Sequence, residues 1–265
     1  MLKLSCLALS AFCLLSVACD EEKKPAPAKP SASVAATAAP AASPSAAAAK
    51  PKEDKKARPK KSAADCPKGP AVAFDDKAVE AEIRKKLEKA SGDVTQADLG
   101  KLKSLNLSQV ETHQLDPCVI PHAKNLKELF IGPGDLDDLS LLAGMTQLES
   151  LRASINKVSD LAPLAKLTKL DRLDLGRTQV TNLGPLAGLT NLTELALDDT
   201  QVRDLAPLAK LTKLERLSIQ RTMVKDYSPL KEMKALKFLY VAGTPEGDLG
   251  PIQPLRDKGL KVIDQ

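Results

Sequence analysis

The apolar positions of the chain recur with a fixed 22-residue period between positions 126 and 241. Six segments of this stretch share the pattern L-x-x-L-x-L or a close variant of it, one in each period. Their first residues are Leu126, Leu148, Leu170, Leu192, Leu214 and Leu236. A period in this range is typical of a solenoid, because one such unit is too small to bury its own leucines and must stack on its neighbours.

Within one unit the pattern predicts a short strand followed by a turn and a return leg. In the third unit, Leu173 and Leu175 alternate with polar residues, as the two faces of a strand require. A D-L-x-P-L motif or a close variant of it follows in most units, and its proline cannot donate a backbone hydrogen bond. We therefore expect a 3₁₀ or extended leg there. These prolines are Pro163, Pro185, Pro207, Pro229 and Pro251.

The run from Leu189 to Leu217 resembles the leucine-rich repeats of the internalin type, a class of bacterial surface and secreted proteins. The resemblance extends over about residues 99–263. It implies an α/β solenoid with short parallel strands on the concave face, 3₁₀ or extended convex legs, and a role in protein recognition. The family usually has asparagine at the ninth position of the unit, where this chain keeps only Asn156. The other units have Gly134, Thr178, Thr200, Thr222 and Thr244.

Both ends of the leucine column are expected to be capped. A helix is predicted between Asp75 and Gly92, with Asp75 or Asp76 at its start and Gly92 closing it. Its apolar stripe consists of Val79, Ile83 and Leu87. A second helix start is predicted at Thr95–Asp98, and a closing strand is predicted around Leu260, Val262 and Ile263.

Residues 1–18 are predicted to be a signal peptide, because Lys3 precedes an apolar core that is too short for a permanent membrane span. The small residues Ser16-Val17-Ala18 stand before Cys19, which resembles a bacterial lipobox. This resemblance implies cleavage before Cys19 and lipidation of its side chain, which would anchor the protein in the bacterial cell envelope. An ordinary secreted protein that is cleaved at the same bond is the alternative.

Residues 19–65 are rich in Ala, Pro and Lys and are predicted to form a disordered tether, because they contain almost no large apolar side chain. The leucine-rich repeat domain is assigned to residues 66–265, with caps at 66–98 and 247–265 and repeats at 99–246. The chain has a formal net charge of +5, but residues 1–65 hold 11 of the 39 Lys and Arg and 6 of the 34 Asp and Glu. The domain is therefore neutral, which argues against nucleic-acid binding.

Two of the five cysteines, Cys66 and Cys118, remain after the signal peptide and the candidate lipidation site are set aside. An even pair in an exported domain favours a disulfide, and two free thiols are the alternative.

The outward positions of the strands are predicted to align in rows across the repeats, because equivalent residues stack about 4.8 Å apart. The rows alternate in charge, as in Arg172–Glu194–Arg216, Arg177–Asp199–Arg221 and Arg152–Asp174. The rows would serve as a structural ion-pair ladder, as a recognition surface, or as both. The residues predicted to bind a partner are Arg152, Arg172, Arg177, Arg216, Arg221, Phe238 and Tyr240, although the two aromatic residues could instead cover the C-terminal cap.

No motif for catalysis or for a cofactor stands out, and the spacing of His113, Cys118 and His122 fits no familiar zinc site. We therefore expect no enzyme activity, no metal, no cofactor and no small-molecule substrate. The leading hypothesis is an envelope-anchored module that binds a protein through its concave face. The alternatives are an architectural lipoprotein without a specific partner and, third, an enzyme.

The lipobox interpretation predicts the mass of the mature N-terminus. Intact-mass and peptide spectrometry of the exported protein should find Cys19 as the first residue, carrying a diacylglyceryl group. A mature N-terminus at Cys19 without lipid would identify the secreted form instead.

Overall fold

The structure, a computed structural model, describes residues 60–265, which belong to one compact unit. The predicted signal peptide, Cys19 and all but the end of the tether lie outside the described residues. Eight short parallel strands form one open sheet in chain order. They are β1 (Ser104–Asn106), β2 (Glu128–Phe130), β3 (Ser150–Arg152), β4 (Arg172–Asp174), β5 (Glu194–Ala196), β6 (Arg216–Ser218), β7 (Phe238–Tyr240) and β8 (Lys261–Ile263).

The central residue of each strand points into the core, and it lies beside the central residue of the next strand. Leu151 pairs with Leu173, and Leu173 pairs with Leu195, all of them almost fully buried. The first leucines of the six units are buried as well. The fixed period therefore produces one continuous leucine column, and the predicted α/β solenoid of leucine-rich repeats is confirmed.

Short 3₁₀ turns form the return legs, as the prolines predicted. Proline occupies the first or second position in most of them, where its missing N–H has no partner to lose. In several of these turns, an aspartate two positions before the first residue of the turn accepts a hydrogen bond from the backbone. In the turn Ala162–Leu164, Ala162 N donates to Asp160 Oδ1 at 2.8 Å. The turns from the first unit onward are Ser140–Leu142, Ala162–Leu164, Gly184–Gly188, Ala206–Lys210, Ser228–Leu230 and Gly250–Ile252.

The N-terminal cap contains α1 (Lys77–Lys86) and α2 (Gln96–Leu99). Asp76 caps α1 by accepting a hydrogen bond from Ala78 N, and Ile83 is its fully buried residue. The helix ends well before Gly92, because Glu88 already takes a left-handed backbone conformation with φ 53°. Gly92 lies in the following loop, so its predicted role as the helix terminator was wrong.

The second predicted helix start is confirmed as a reciprocal cap. The side chain of Thr95 accepts a hydrogen bond from Asp98 N at 3.2 Å, while Asp98 Oδ2 accepts one from Thr95 N at 3.1 Å. At the other end of the column, α3 (Gln253–Arg256) leads into β8, which pairs with β7 as the predicted closing strand.

The folded part of the chain begins earlier than the sequence suggested. Residues 63–65 form a 3₁₀ turn, and the backbone of Lys61 exchanges two hydrogen bonds with the side chain of Gln114. Cys66 and Cys118 form a disulfide, with 5.4 Å between their Cα atoms. Residues 60–65, which were assigned to the tether, therefore belong structurally to the domain.

At the ninth position of the unit, Asn156 makes different hydrogen bonds from the threonines that occupy this position in other units. Asn156 reaches the preceding repeat, where it accepts from Leu136 N at 3.2 Å and donates to Gly132 O at 3.0 Å. The hydroxyls of Thr178, Thr200 and Thr222 donate within their own turn, as from Thr178 Oγ1 to Leu175 O at 2.6 Å. The first unit has Gly134 because any side chain there would collide with the backbone of Thr112.

This difference predicts unequal costs of substitution. Asn156→Ala should lower the free energy of unfolding by about 2 kcal/mol or more, because buried backbone groups of two residues lose their partner. The control Thr178→Val removes one hydrogen bond inside a turn and should cost about 1 kcal/mol. Urea unfolding of both variants measures the difference, and equal costs would contradict the bridging role of Asn156.

Candidate functional site

The outer face of the sheet carries two rows of aligned side chains, and their predicted alignment is confirmed by the strand register. We call this face, together with the turn that follows each strand, the concave face. The first row contains Glu128, Ser150, Arg172, Glu194, Arg216 and Phe238. The second row contains Phe130, Arg152, Asp174, Ala196, Ser218 and Tyr240.

The predicted row of Arg177, Asp199 and Arg221 was expected on the strands but lies in the turns after them, and this third row extends from Pro133 to Gly243. Four of its members take a left-handed backbone although they are not glycine: Ile155, Arg177, Asp199 and Arg221, with φ between 52° and 59°. Their N–H groups donate to the next repeat, as from Arg177 N to Asp198 O at 2.7 Å. These bonds hold a conformation that L-residues usually avoid, so the side chains of the row are fixed at the edge of the sheet.

The third row forms the predicted ion-pair ladder around Asp199. Arg221 makes a two-pronged contact with this carboxylate, at 2.5 Å and 2.6 Å, and Arg177 Nε lies 3.4 Å from it on the other side. The hydrogen bond from Arg221, followed by the contribution of Arg177, holds the pKa of Asp199 below its usual value. Asp199 is therefore a neutralised bridge between two arginines.

The strand rows are paired less completely than the sequence suggested. Arg152 Nε contacts Asp174 at 3.0 Å, as predicted. Arg216 lies 3.9 Å from Glu194, which is beyond hydrogen-bond distance. Arg172 turns to Asp171 in its own repeat at 3.6 Å rather than to Glu194, so the predicted Arg172–Glu194 pair was wrong. The strand register determines the position of the Cα atom of each residue in a row. A long arginine side chain can still form an ion pair with any of several neighbouring carboxylates.

The aromatic residues at the C-terminal end of the rows lie side by side on the outer face. The ring centroids of Phe238 and Tyr240 are 6.5 Å apart, both side chains are half-buried, and Leu239 between them is fully buried. Arg216 approaches the Phe238 ring to 5.3 Å and Lys261 approaches it to 5.7 Å. The 22-residue period did not predict Lys261 in this position, because the offset from β7 to β8 is one residue longer than the offsets between successive strands from β2 to β7.

Other chemistry is sparse in the described part of the chain. Residues 60–265 contain no group of three or more metal-ligating side chains, and Cys118 is in the disulfide. His113 lies 3.7 Å from both Glu111 and Asp135, at the edge of ion-pair distance. None of the helices among these residues is long and apolar enough to cross a membrane.

Comparisons with known proteins agree with this geometry. A family model for leucine-rich repeats matches residues 146–188 and 168–210. An internalin C2 structure from Listeria monocytogenes is 28% identical, with a TM-score of 0.61, and the match covers 72% of this chain and 94% of that one. The chain contains leucine-rich repeats, and its structure is similar to that of an internalin. No curated protein sequence matches it.

More distant solved structures share the leucine-rich repeat fold of this chain. Another Listeria monocytogenes internalin is 24% identical with a TM-score of 0.60, over 72% of this chain and 63% of that one. A leucine-rich repeat protein of Leptospira interrogans is 20% identical with a TM-score of 0.51, over 63% and 50% respectively. At these identities the likeness concerns the fold alone.

The pairing of Asp199 predicts a pH-dependent stability difference. Asp199→Asn should be less stable than the native chain at pH 7 by at most about 1 kcal/mol, because the pairs are exposed. Since the folded pKa of Asp199 is depressed, this stabilisation is present above about pH 4, the usual aspartate value. It is lost as the pH falls toward the lower folded pKa, so the difference should shrink in acid.

Urea unfolding between pH 2 and pH 7 measures this difference. Asp204→Asn is the control, because within residues 60–265 Asp204 Oδ1 accepts a hydrogen bond only from Ala206 N, and an amide oxygen can accept the same bond. A difference for Asp199→Asn that stays constant with pH would contradict the pairing.

Proposed function

We propose that this chain is a non-catalytic, envelope-anchored module that binds a protein partner through its concave face. The observation that carries the proposal is the alignment of arginine and aromatic side chains on one continuous face: Arg152, Arg172, Arg177, Arg216, Arg221, Phe238 and Tyr240. Arginine and tyrosine are the residues that, with tryptophan, dominate the energetics of protein interfaces. The leucine-rich repeat fold itself suggests a protein-interaction module.

The ion-pair ladder is compatible with binding because its arginines remain accessible. The side chain of Arg177 is 64% exposed and that of Arg221 is 51% exposed. Exposed pairs of this kind contribute only about 0–1 kcal/mol each, so a partner carboxylate can replace an internal one at little cost. The ladder therefore holds the arginines in position without withdrawing them from a partner.

The contacts of residues 60 and 61 lie away from the three rows. Lys60 contacts Asp137, and Lys61 contacts Gln114, Asp75 and Asp116. None of these partners belongs to the three rows. In this proposal, a lipid on Cys19 anchors the domain to the membrane through the tether.

The rival function is an architectural lipoprotein without a specific partner, in which the ladder only stiffens the sheet. An enzyme is a third and disfavoured alternative, because the leucine-rich repeat fold suggests a protein-interaction module.

A pull-down from envelope extract tests the proposal against its rival. The protein should capture a partner saturably, and Arg177→Ala with Tyr240→Ala should weaken capture at least about tenfold, as expected when interface hot spots are truncated. The melting temperature should change little, because both side chains are on the surface. Lys166→Ala with Lys210→Ala, at exposed positions on the return legs, is the control.

No saturable capture would favour the architectural function. Capture that the concave double variant leaves unchanged would remove this face as the binding site.

A further inference from the structure

We propose that the C-terminal end of the concave face binds an acidic, extended peptide segment of the partner protein. The surface consists of Phe238, Tyr240, Arg216 and Lys261, and we call it the C-terminal platform. This inference rests on the proposed function and specifies the chemistry of the partner. The inference is based on two cations, Arg216 and Lys261, that lie beside the ring of Phe238. Neither cation has a close carboxylate partner among the described residues.

The strand register places a cation on each side of Phe238. Arg216 on β6 and Lys261 on β8 are its two neighbours in the first row. Their charged groups lie 5.3 Å and 5.7 Å from the centre of the ring. Attraction to the ring keeps both charged groups near Phe238, and two cations so close together attract a carboxylate.

The platform keeps positive charge that the rest of the face has neutralised. Arg221 and Arg152 each have a close carboxylate partner, at 2.5 Å and 3.0 Å. Arg216 has only Glu194 at 3.9 Å, and among the described residues Lys261 makes no ion pair with a carboxylate. An incoming carboxylate would therefore meet two cations without displacing a close internal carboxylate.

The other half of the platform is uncharged. Tyr240 lies between Ser218 on β6 and Ile263 on β8. The nearby carboxylate of Asp198 is occupied by hydrogen bonds from Ser218 Oγ at 2.6 Å and Gln220 N at 2.8 Å. This half fits an apolar side chain better than a second acidic one.

The dimensions of the platform match an extended peptide. The Phe238 and Tyr240 centroids are 6.5 Å apart. In an extended chain the side chains at positions i and i+2 point the same way and are about 6.4–6.8 Å apart. A peptide with Glu or Asp at position i and an apolar residue at i+2 would place the carboxylate between Arg216 and Lys261 and the apolar group over Tyr240.

Stacked rings with flanking cations also occur in proteins that bind single-stranded nucleic acid. That binding additionally needs a positive groove along the phosphate backbone. Here residues 66–265 carry equal numbers of basic and acidic residues, and Glu194 and Asp198 lie next to the platform. The charge therefore favours an acidic peptide.

A displayed library of short random peptides tests the inference on the purified full chain. Selected peptides should be enriched in Glu or Asp followed two positions later by an apolar residue. Lys261→Glu should weaken binding of a selected peptide at least about tenfold, because it places like charges together. Lys258→Glu is the control, an exposed lysine on the same cap that does not contact Phe238.

The inference would be overturned if the library yielded no binding peptide, or only peptides without enrichment in Glu or Asp. An equal effect of Lys258→Glu and Lys261→Glu would also overturn it. So would a single-stranded oligonucleotide that binds more tightly than any selected peptide. Circular dichroism of the variants excludes unfolding as the cause of lost binding. A partner that is captured from extract and is insensitive to Lys261→Glu, but sensitive to Arg177→Ala, would preserve the proposed function while removing the acidic segment from it.

Discussion

Burial of leucine between neighbouring repeats is the interaction on which the rest of this structure depends. A fully buried leucine stabilises a fold by about 1.5–3 kcal/mol relative to an exposed one, yet a single repeat has nothing to bury it against. Leu151, Leu173 and Leu195 become buried only because each contacts its equivalents in the adjacent repeats. Stability is therefore shared between units, and the caps at both ends protect the terminal leucines from water.

The same contact fixes the functional surface. Once the inward leucines are in register, the residues on either side of them must point outward and align across the sheet. Where opposite charges meet in these rows, as at Arg177, Asp199 and Arg221, they neutralise each other. At the C-terminal end the alternation stops, and Phe238 stands between two cations instead. The charged residues at the centre of the face are thus paired with one another, whereas the C-terminal end has cations without a close carboxylate partner.

The sequence predicted the features that depend on the 22-residue period of the leucines. It did not predict the features that depend on local side-chain and backbone geometry. The strands, the proline turns and the two strand rows follow from the spacing of the leucines. The ion pair of Arg172 did not follow, since Asp171 competes with Glu194 for a flexible side chain. The position of Lys261 did not follow either, because one additional residue before β8 interrupts the period. The early end of α1 depends on the backbone angle at Glu88, a residue type that gives no such signal.

Deleting one whole repeat tests most directly whether the leucine column determines the fold. Removal of residues 170–191 joins Lys169 to Leu192 and leaves every remaining leucine with an equivalent neighbour. The account predicts a protein one strand shorter that unfolds in a single cooperative transition, with unchanged circular dichroism per residue and somewhat lower stability. An unfolded or aggregated chain, or two separate transitions, would show that the repeats are not equivalent layers of one column.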